Sequence, residues 1–494
     1  MKPFELAFIF ADLLVLAASL LSARAWRRWM SAASVAALLF AAAQFHAVHW
    51  QMYPAYAAAA ALCAWTCFRF SPRRRLPLAA NLVSIFLLLA SLGLGFLFPV
   101  FSLPRPTGPF AIGTITRQWV RIAPPAEVAA GSSRDRRLTV QFWYPAAPGA
   151  KGKLAPYRTG DGFAFHARYL SLVATHARIG APVSASQPLY PVVLFSPMWN
   201  SGRSQNTVQF EMLASNGFVV AAIEHPLDSN DPHFDYSSDE KLREKDRQLD
   251  RRAADARFVL GQLEHIADKL TLGPLAGRLD LSRIGFFGHS FGGATAEETC
   301  WLDSRCKAGV NMDGTQFGGV AAAGIAQPFM FMFSDSPLPS AAELDSANPS
   351  VRYTAEVDQR DYKRIAESLA RRGGYRLTLH GSSHLNYTDR PLFSPWRRLT
   401  DSGPLDARLA EREINAYLLA FFEKYLNGKP EPLLQGSSSP YTAVSFRSFS
   451  PPVRAARVAD PPASPAARAS TRAPAQRSLP RIHRRQTLSY PVPS

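Results

Sequence analysis

Apolar and polar positions fall into three regimes along the chain. From the N-terminus, four apolar runs follow one another: about Phe4–Leu21, Met30–Val48, Met52–Phe68 and Leu78–Phe101. Each approaches the ~20 residues with which a helix crosses a hydrocarbon core. Trp26, Trp29, Trp50 and Tyr53 stand at their ends, where amphipathic rings favour a membrane interface. The pattern predicts a four-helix transmembrane region over residues 1–103. Arg24, Arg27 and Arg28 follow the first run and Arg69, Arg73, Arg74 and Arg75 the third, while only His46 and His49 follow the second. By the positive-inside tendency, this predicts a multi-pass cell-membrane protein whose chain after Phe101 lies on the extracytoplasmic side, with the lipid bilayer as a partner. Ala23-Arg24-Ala25 resembles a signal-peptide cleavage site, but three further apolar runs behind it favour retained helices. Asp12 reads as facing a partner helix. His46 and His49, with no third ligand nearby, read as interfacial polar residues rather than a metal site.

The second regime, residues 104–450, alternates short apolar runs with helical periodicity. Arg137–Tyr144 alternates as a half-exposed strand does. Pro191–Ser196, Phe218–Ile223, Arg283–Phe287, Gly309–Met312 and Phe329–Ser334 are nearly continuous apolar runs, as expected of parallel strands covered on both faces. Tyr375–His380 adds another strand. Asp239–His265 and Leu409–Leu426, the latter stopped by Gly428, read as helices. Strands alternating with helices predict an α/β domain, a mostly parallel sheet with helices on both faces. The third regime, residues 451–494, is rich in Pro, Ala, Ser and Arg without hydrophobic period, and predicts a disordered basic tail.

Charge changes the picture only at the ends. Of a formal net charge of +17, residues 1–103 carry +6 and residues 451–494 carry +7, leaving +4 for the long middle region. No nucleic-acid-binding footprint follows from that distribution.

The chemistry concentrates at Gly288-His289-Ser290-Phe291-Gly292-Gly293, a G-x-S-x-G directly after a strand and directly before the helical run Ala294–Leu302. In a nucleophile elbow the flanking glycines Gly288 and Gly292 let the Ser290 hydroxyl stand exposed above the sheet. The first helical amide, at Phe291, can then stabilise an oxyanion. Serine needs a base, and the base needs an acid to orient it. Downstream lie His380, His384 and His483; His483 falls in the tail, His380 on a strand, and His384 in a Gly-Ser-Ser-His loop free to reach the elbow. For the acid, Asp313 and Asp335 both end strands on the edge that carries Ser290, and position alone does not choose between them.

Several motifs occur in one order: Pro106–Thr114, Phe142-Trp143-Tyr144-Pro145, Val192–Ser196, Glu224-His225, Gly288–Gly293, Asp313, and Gly381–His384 followed by Asn386. Over about residues 104–427 this resembles the platelet-activating factor acetylhydrolase family of α/β-hydrolases. The resemblance implies Asp313 as the acid, hence a triad of Ser290, Asp313 and His384, and short acyl chains on glycerophospholipids as substrates. The family often has His-Gly after the Phe-Ser strand end. Here Ser196-Pro197-Met198-Trp199-Asn200 is more similar to the turn of bacterial cutinase-like polyester hydrolases, with the Trp199 amide as the second oxyanion donor and its ring a candidate wall of the acyl pocket.

Cys300 and Cys306, the only cysteines of the middle region, can form a disulfide behind the elbow in an oxidising compartment, and their spacing without a nearby histidine argues against zinc. The expected chemistry requires no metal and no organic cofactor. Together these readings describe a membrane-anchored serine esterase. The alternatives are a cutinase-like or general carboxylesterase, or an inactive hydrolase-fold ligand sensor.

Overall fold

The apolar runs read as buried strands lie at the centre of one eleven-stranded sheet. The computed structural model describes residues 3–20, 32–40, 49–68, 78–127, 134–158, 165–226, 234–265 and 272–451. In chain order the strands are β1 (Ala111–Ile122), β2 (Asp135–Ala146), β3 (Leu154–Pro156), β4 (Ala174–Ile179), β5 (Tyr190–Ser196), β6 (Val219–Glu224), β7 (Leu279–His289), β8 (Cys306–Met312), β9 (Phe329–Ser334), β10 (Gly374–Leu379) and β11 (Val444–Phe449). Across the sheet the order is β11-β10-β9-β8-β7-β5-β6-β2-β1-β4-β3. From β6 to β10 every pairing is parallel, and β2, β1 and β11 add antiparallel flanks.

All seven residues of β5 are buried because both faces of the sheet are covered. Val193 and Phe195 point to one face, where Thr207–Ser215 and Ala407–Asn427 supply Phe210, Ile414, Leu418 and Phe422. Val192 and Leu194 point to the other, against Ala256, Val259 and Leu260 of Asp239–His265 and Ala296 of Phe291–Leu302. The period of two in β5 thus divides one apolar run between two cores. The helix Ala407–Asn427 ends where Gly428 adopts a left-handed conformation (φ 67°), as its sequence signal implied.

Cys300, near the end of the helix behind the elbow, and Cys306, the first residue of β8, are joined in a disulfide. Closing so short a loop stabilises by about 2 kcal/mol in the chain-entropy account. Intact mass should rise by two hydrogens on reduction, and Cys300→Ser should lower the denaturant midpoint by a corresponding amount. An unchanged mass and midpoint would mean that the bridge does not form in the protein.

The expectation of four transmembrane helices is not met. Among the described residues one helix, Leu78–Leu97, is long and apolar enough to cross a membrane, which by itself is weak evidence of a span. The third run forms Tyr53–Phe68, whose 16 residues reach about 24 Å, short of a ~30 Å hydrocarbon core. The first forms Pro3–Leu20, in which Glu5 is buried in an ion pair with His49 (2.8 Å) and Asp12 is buried as well. Of the second run, residues 32–40 are helical and its end, with His46, lies outside the described residues, as do Trp26, Trp29, the loop arginines from Arg24 to Arg28 and from Arg69 to Arg75, and the tail. Hydropathy counts apolar length but does not distinguish a lipid-facing helix from one packed on its neighbours. Here Phe8, Ile9, Met52, Ala55, Ala59 and Leu88 bury one another. An aromatic seam continues from there: Phe98 meets Tyr169 (6.4 Å) and Phe101 stacks on Phe393 (5.4 Å).

Candidate active site

Strand β5 lies between β6 and β7, so the chain leaves the carboxyl ends of β5 and β7 on opposite sides of a crevice. Open α/β sheets place their ligands at such a switch point. Ser290 follows β7 at once, with φ 58° and ψ −125°, and begins the helix Phe291–Leu302. That conformation is strained for a residue with a Cβ, and only close backbone packing over-determines it. A Cβ on Gly288 would lie 2.0 Å from the Gly292 carbonyl oxygen, and one on Gly292 would lie 2.0 Å from that of Ser196. The motif glycines therefore let the elbow close on itself and on the turn after β5. Gly292→Ala must push these apart. A shift of about 1 Å costs roughly 10²-fold in activity, so the variant should lose that much against an unaltered ester substrate. Wild-type turnover would show that the contact is dispensable.

Asp313 follows β8 with φ 53°. Its amide donates to the Met332 carbonyl (2.7 Å), its Oδ1 accepts the Ser334 amide (2.7 Å), and its Oδ2 accepts Nδ1–H of His384 (2.8 Å). Burial by itself would raise this carboxyl. The hydrogen bond and charge of His384, with the Ser334 amide, outweigh burial and hold it below the usual carboxylate value. His384 opens a short helical turn after β10, and Asn386 Oδ1 fixes the loop by accepting the amides of Ser383 (2.9 Å) and Gly403 (2.7 Å). The other candidates, His380 and Asp335, pair with each other at the surface (3.1 Å).

Ser290, Asp313 and His384 all line one cavity of about 840 Å³. Phe234, Tyr236, Phe291, Phe317 and Phe333 make its walls aromatic, and Val351, Thr354, Tyr362 and Ile365 of the helix Pro349–Arg372 close its far side. The Trp199 ring is not among the residues lining this cavity, contrary to the sequence expectation. It packs edge-on against Phe291 (5.7 Å) with the Lys245 ammonium 4.0 Å over its face. An aromatic with a cation on one face and a phenyl ring beside it is held behind the site rather than in it.

The turn Ser196–Asn200 is braced from three directions. Arg252 Nη1 donates to the Pro197 carbonyl (2.9 Å), and the Met198 amide donates to Gln205 Oε1 (3.0 Å). Ser196 Oγ meets His225 Nε2 (3.0 Å), and His225 Nδ1–H donates to Asp255 (3.1 Å). Asp255 also accepts two hydrogen bonds from Arg136 (2.9 and 2.7 Å) and one from Arg121 (2.7 Å). This second Ser–His–Asp chain is buried throughout and serves the turn's geometry. The Met198 amide is engaged by Gln205 and so is not the second donor; the Trp199 amide follows it in the same turn.

Sequence reading passed over Gln205, Arg252, the Ser196–His225–Asp255 chain and the cavity-lining helix. The helix carried signals: Asn348 accepts the Ser350 amide as N-cap, Pro349 follows it, and Gly373 stops the helix. For Gln205 and Arg252 no local signal existed.

A strained serine between strand and helix, a His–Asp pair at the ends of β10 and β8 on the same edge of the sheet, and this strand order define an α/β-hydrolase. Comparison with known proteins narrows the class. The family model described as platelet-activating factor acetylhydrolase, isoform II, matches residues 239–437. The platelet-activating factor acetylhydrolase of Cavia porcellus is 26% identical over 372 residues, which cover 66% of this chain and 78% of the relative. A probable 1-alkyl-2-acetylglycerophosphocholine esterase of Arthroderma benhamiae is 24% identical, covering 70% of this chain and 94% of its own. Among solved structures, a ferulic acid esterase from Streptomyces cinnamoneus aligns with a TM-score of 0.52 and 28% identity, over 70% of this chain and 99% of that one. The α/β-hydrolase is thus similar to platelet-activating factor acetylhydrolases, and a hydrolase of ester bonds is the enzyme class these findings support.

Proposed function

We propose that the protein is a serine esterase that hydrolyses carboxylic esters through an acyl-Ser290 intermediate, with short acyl chains of glycerophospholipids as its substrate class. The observation that carries this reading is the His384–Asp313 pair facing the same cavity as the strained Ser290. His384 Nδ1–H is committed to Asp313, which leaves Nε2 as the base. It takes the Ser290 proton as Oγ attacks the ester carbonyl, and the Phe291 and Trp199 amides receive the charge that develops on the carbonyl oxygen. His384 then returns the proton to the departing alcohol. Water repeats the sequence on the acyl-enzyme to release the acid and free Ser290. The acetyl-ester relatives support short acyl chains, and the Cys300–Cys306 disulfide supports an oxidising, extracytoplasmic compartment.

A general carboxylesterase is the second reading, favoured by the aromatic cavity walls and the ferulic acid esterase neighbour. Hydrolysis of a chain-length series of p-nitrophenyl esters, an aryl ester and a short-acyl phospholipid by the full chain separates the two. A preference for two-carbon acyl groups on the phospholipid is expected. A preference for the aryl ester would favour the second reading. Folded protein inactive on all of them, and unlabelled by a fluorophosphonate, would make a ligand sensor of it.

A further inference from the structure

Between the turn after β5 and the histidine loop lies a chain of buried polar side chains to which the reaction itself assigns no task. Gln205, Asn206 and His289 are all buried. The Met198 amide is a donor, so the Gln205 atom facing it at 3.0 Å is the acceptor Oε1. Gln205 Nε2 therefore donates, to Asn206 Oδ1 (3.0 Å) and to His289 Nδ1 (2.9 Å). With Nδ1 accepting, the His289 proton sits on Nε2, which donates to the backbone carbonyl of His384 (2.9 Å). Asn206 Nδ2 donates in turn to the Tyr387 carbonyl (2.7 Å), so the two adjacent side chains hold both ends of the His384–Tyr387 turn.

We propose that Gln205 is a positioning residue for ester hydrolysis: one amide side chain fixes the oxyanion turn through Met198 and, by choosing the tautomer of His289, fixes the backbone of His384. This rests on the esterase reading above. Burial pushes His289 well below the ordinary imidazole value, with the neighbouring charge of His384 acting in the same direction, so the ring is neutral and carries one proton. Which nitrogen holds that proton is decided by the neighbour at Nδ1. The groups facing His289 are Gln205, His384 (ring centroids 4.5 Å apart), Asp313 beyond it, and Tyr387 stacked at 6.5 Å. Of these Gln205 alone donates to Nδ1. A leucine there would remove the donor to His289 and the acceptor of Met198 together. A glutamate would keep the acceptor but turn the donor into a second acceptor. The His289 proton would then move to Nδ1, and the His384 carbonyl would meet a donor only when the ring took up a second proton.

The test uses the full chain as wild type, Gln205→Leu, Gln205→Glu and Ser290→Ala, assayed with p-nitrophenyl acetate across pH, with melting curves for each. Gln205→Leu should lower kcat by about 10- to 100-fold with KM changed less than about threefold, since positioning acts on the transition state. For Gln205→Glu, the ratio of variant to wild-type kcat/KM should fall by up to about tenfold per pH unit as pH rises through the shared ionisation of His289 and the introduced carboxylate. A merely structural role would not move that ratio with pH. A flat ratio, or a Gln205→Leu kcat within about threefold of wild type, overturns the proposal. Should Gln205→Leu fail to fold, the Gln205→Glu profile decides. Absence of Ser290-dependent turnover in the wild type overturns the esterase reading and this proposal with it. Turnover with Gln205 variants indistinguishable from wild type overturns this proposal alone.

Discussion

Ser290→Ala should abolish all but about 10⁻⁴ of the ester hydrolysis, a loss near 5 kcal/mol of transition-state stabilisation. The substitution removes one oxygen from a site that is otherwise intact: the elbow glycines, the Asp313–His384 pair and the cavity do not depend on it. Melting behaviour should be unchanged, because alanine keeps the Cβ and with it the same strained backbone conformation (φ 58°). His384→Ala should fall to a similar floor, and the double variant no further, since a nucleophile and its base act as a unit. A residual rate within tenfold of wild type would place the nucleophile elsewhere. Additive losses in the double variant would mean that Ser290 and His384 act independently. Covalent labelling by a fluorophosphonate, present in wild type and absent in Ser290→Ala, reads the same assignment without a substrate.

Asp255→Asn should cost about 3–5 kcal/mol of folding free energy at neutral pH, the penalty for leaving buried cations without their acid. Asp255 is fully buried and takes hydrogen bonds from Arg121, Arg136 and His225. Burial by itself would raise its carboxyl, but His225 and Arg136 outweigh that and hold it well below the ordinary value. The sign of the pH effect follows. A carboxyl lower in the folded than in the unfolded state, where it is near 3.9, contributes stability that is fully present above the unfolded value and is lost as pH falls through the folded one. The gap between wild type and Asp255→Asn in denaturant unfolding should therefore be widest above about pH 5 and narrow steadily below about pH 4. Activity should fall with stability, because Ser196 and the oxyanion turn hang on the same chain through His225. A penalty under about 1 kcal/mol, or one that does not narrow in acid, would show the cluster to be solvated rather than buried.

Much of the sheet was legible because buried parallel strands have a simple signature. Phe329–Ser334 is β9 to the residue, and the helix Asp239–His265 has the ends its pattern implies. The edges were harder. In β11, Val444 and Phe446 are buried between exposed neighbours over a six-residue strand, too short an alternation to stand out beside the basic tail. The N-terminal runs misled for the opposite reason. Their apolar content is real, but Ala-rich helices packed on one another satisfy it as well as lipid does, and a buried Glu5–His49 pair leaves no trace in a hydropathy average.

The amino-acid sequence alone determined where the tight strand-to-helix turn at Ser290 forms, since close approach of backbone at Gly288 and Gly292 is a local steric demand that few residues meet. It also determined which segments are buried strands and the order Ser, Asp, His along them. Residues and spacing left Asp313 and Asp335 level, and only family resemblance chose between them. The tertiary structure alone decided how these groups are paired: Asp313 with His384 at the cavity, Asp335 with His380 at the surface. Those partners are brought together across 71 and 45 residues of chain by the parallel register of β8, β9 and β10. The same holds for Gln205, which reaches His289 across 84 residues. Local sequence encodes backbone shape and burial, whereas a hydrogen bond between distant side chains depends on distances that exist only once the sheet has formed.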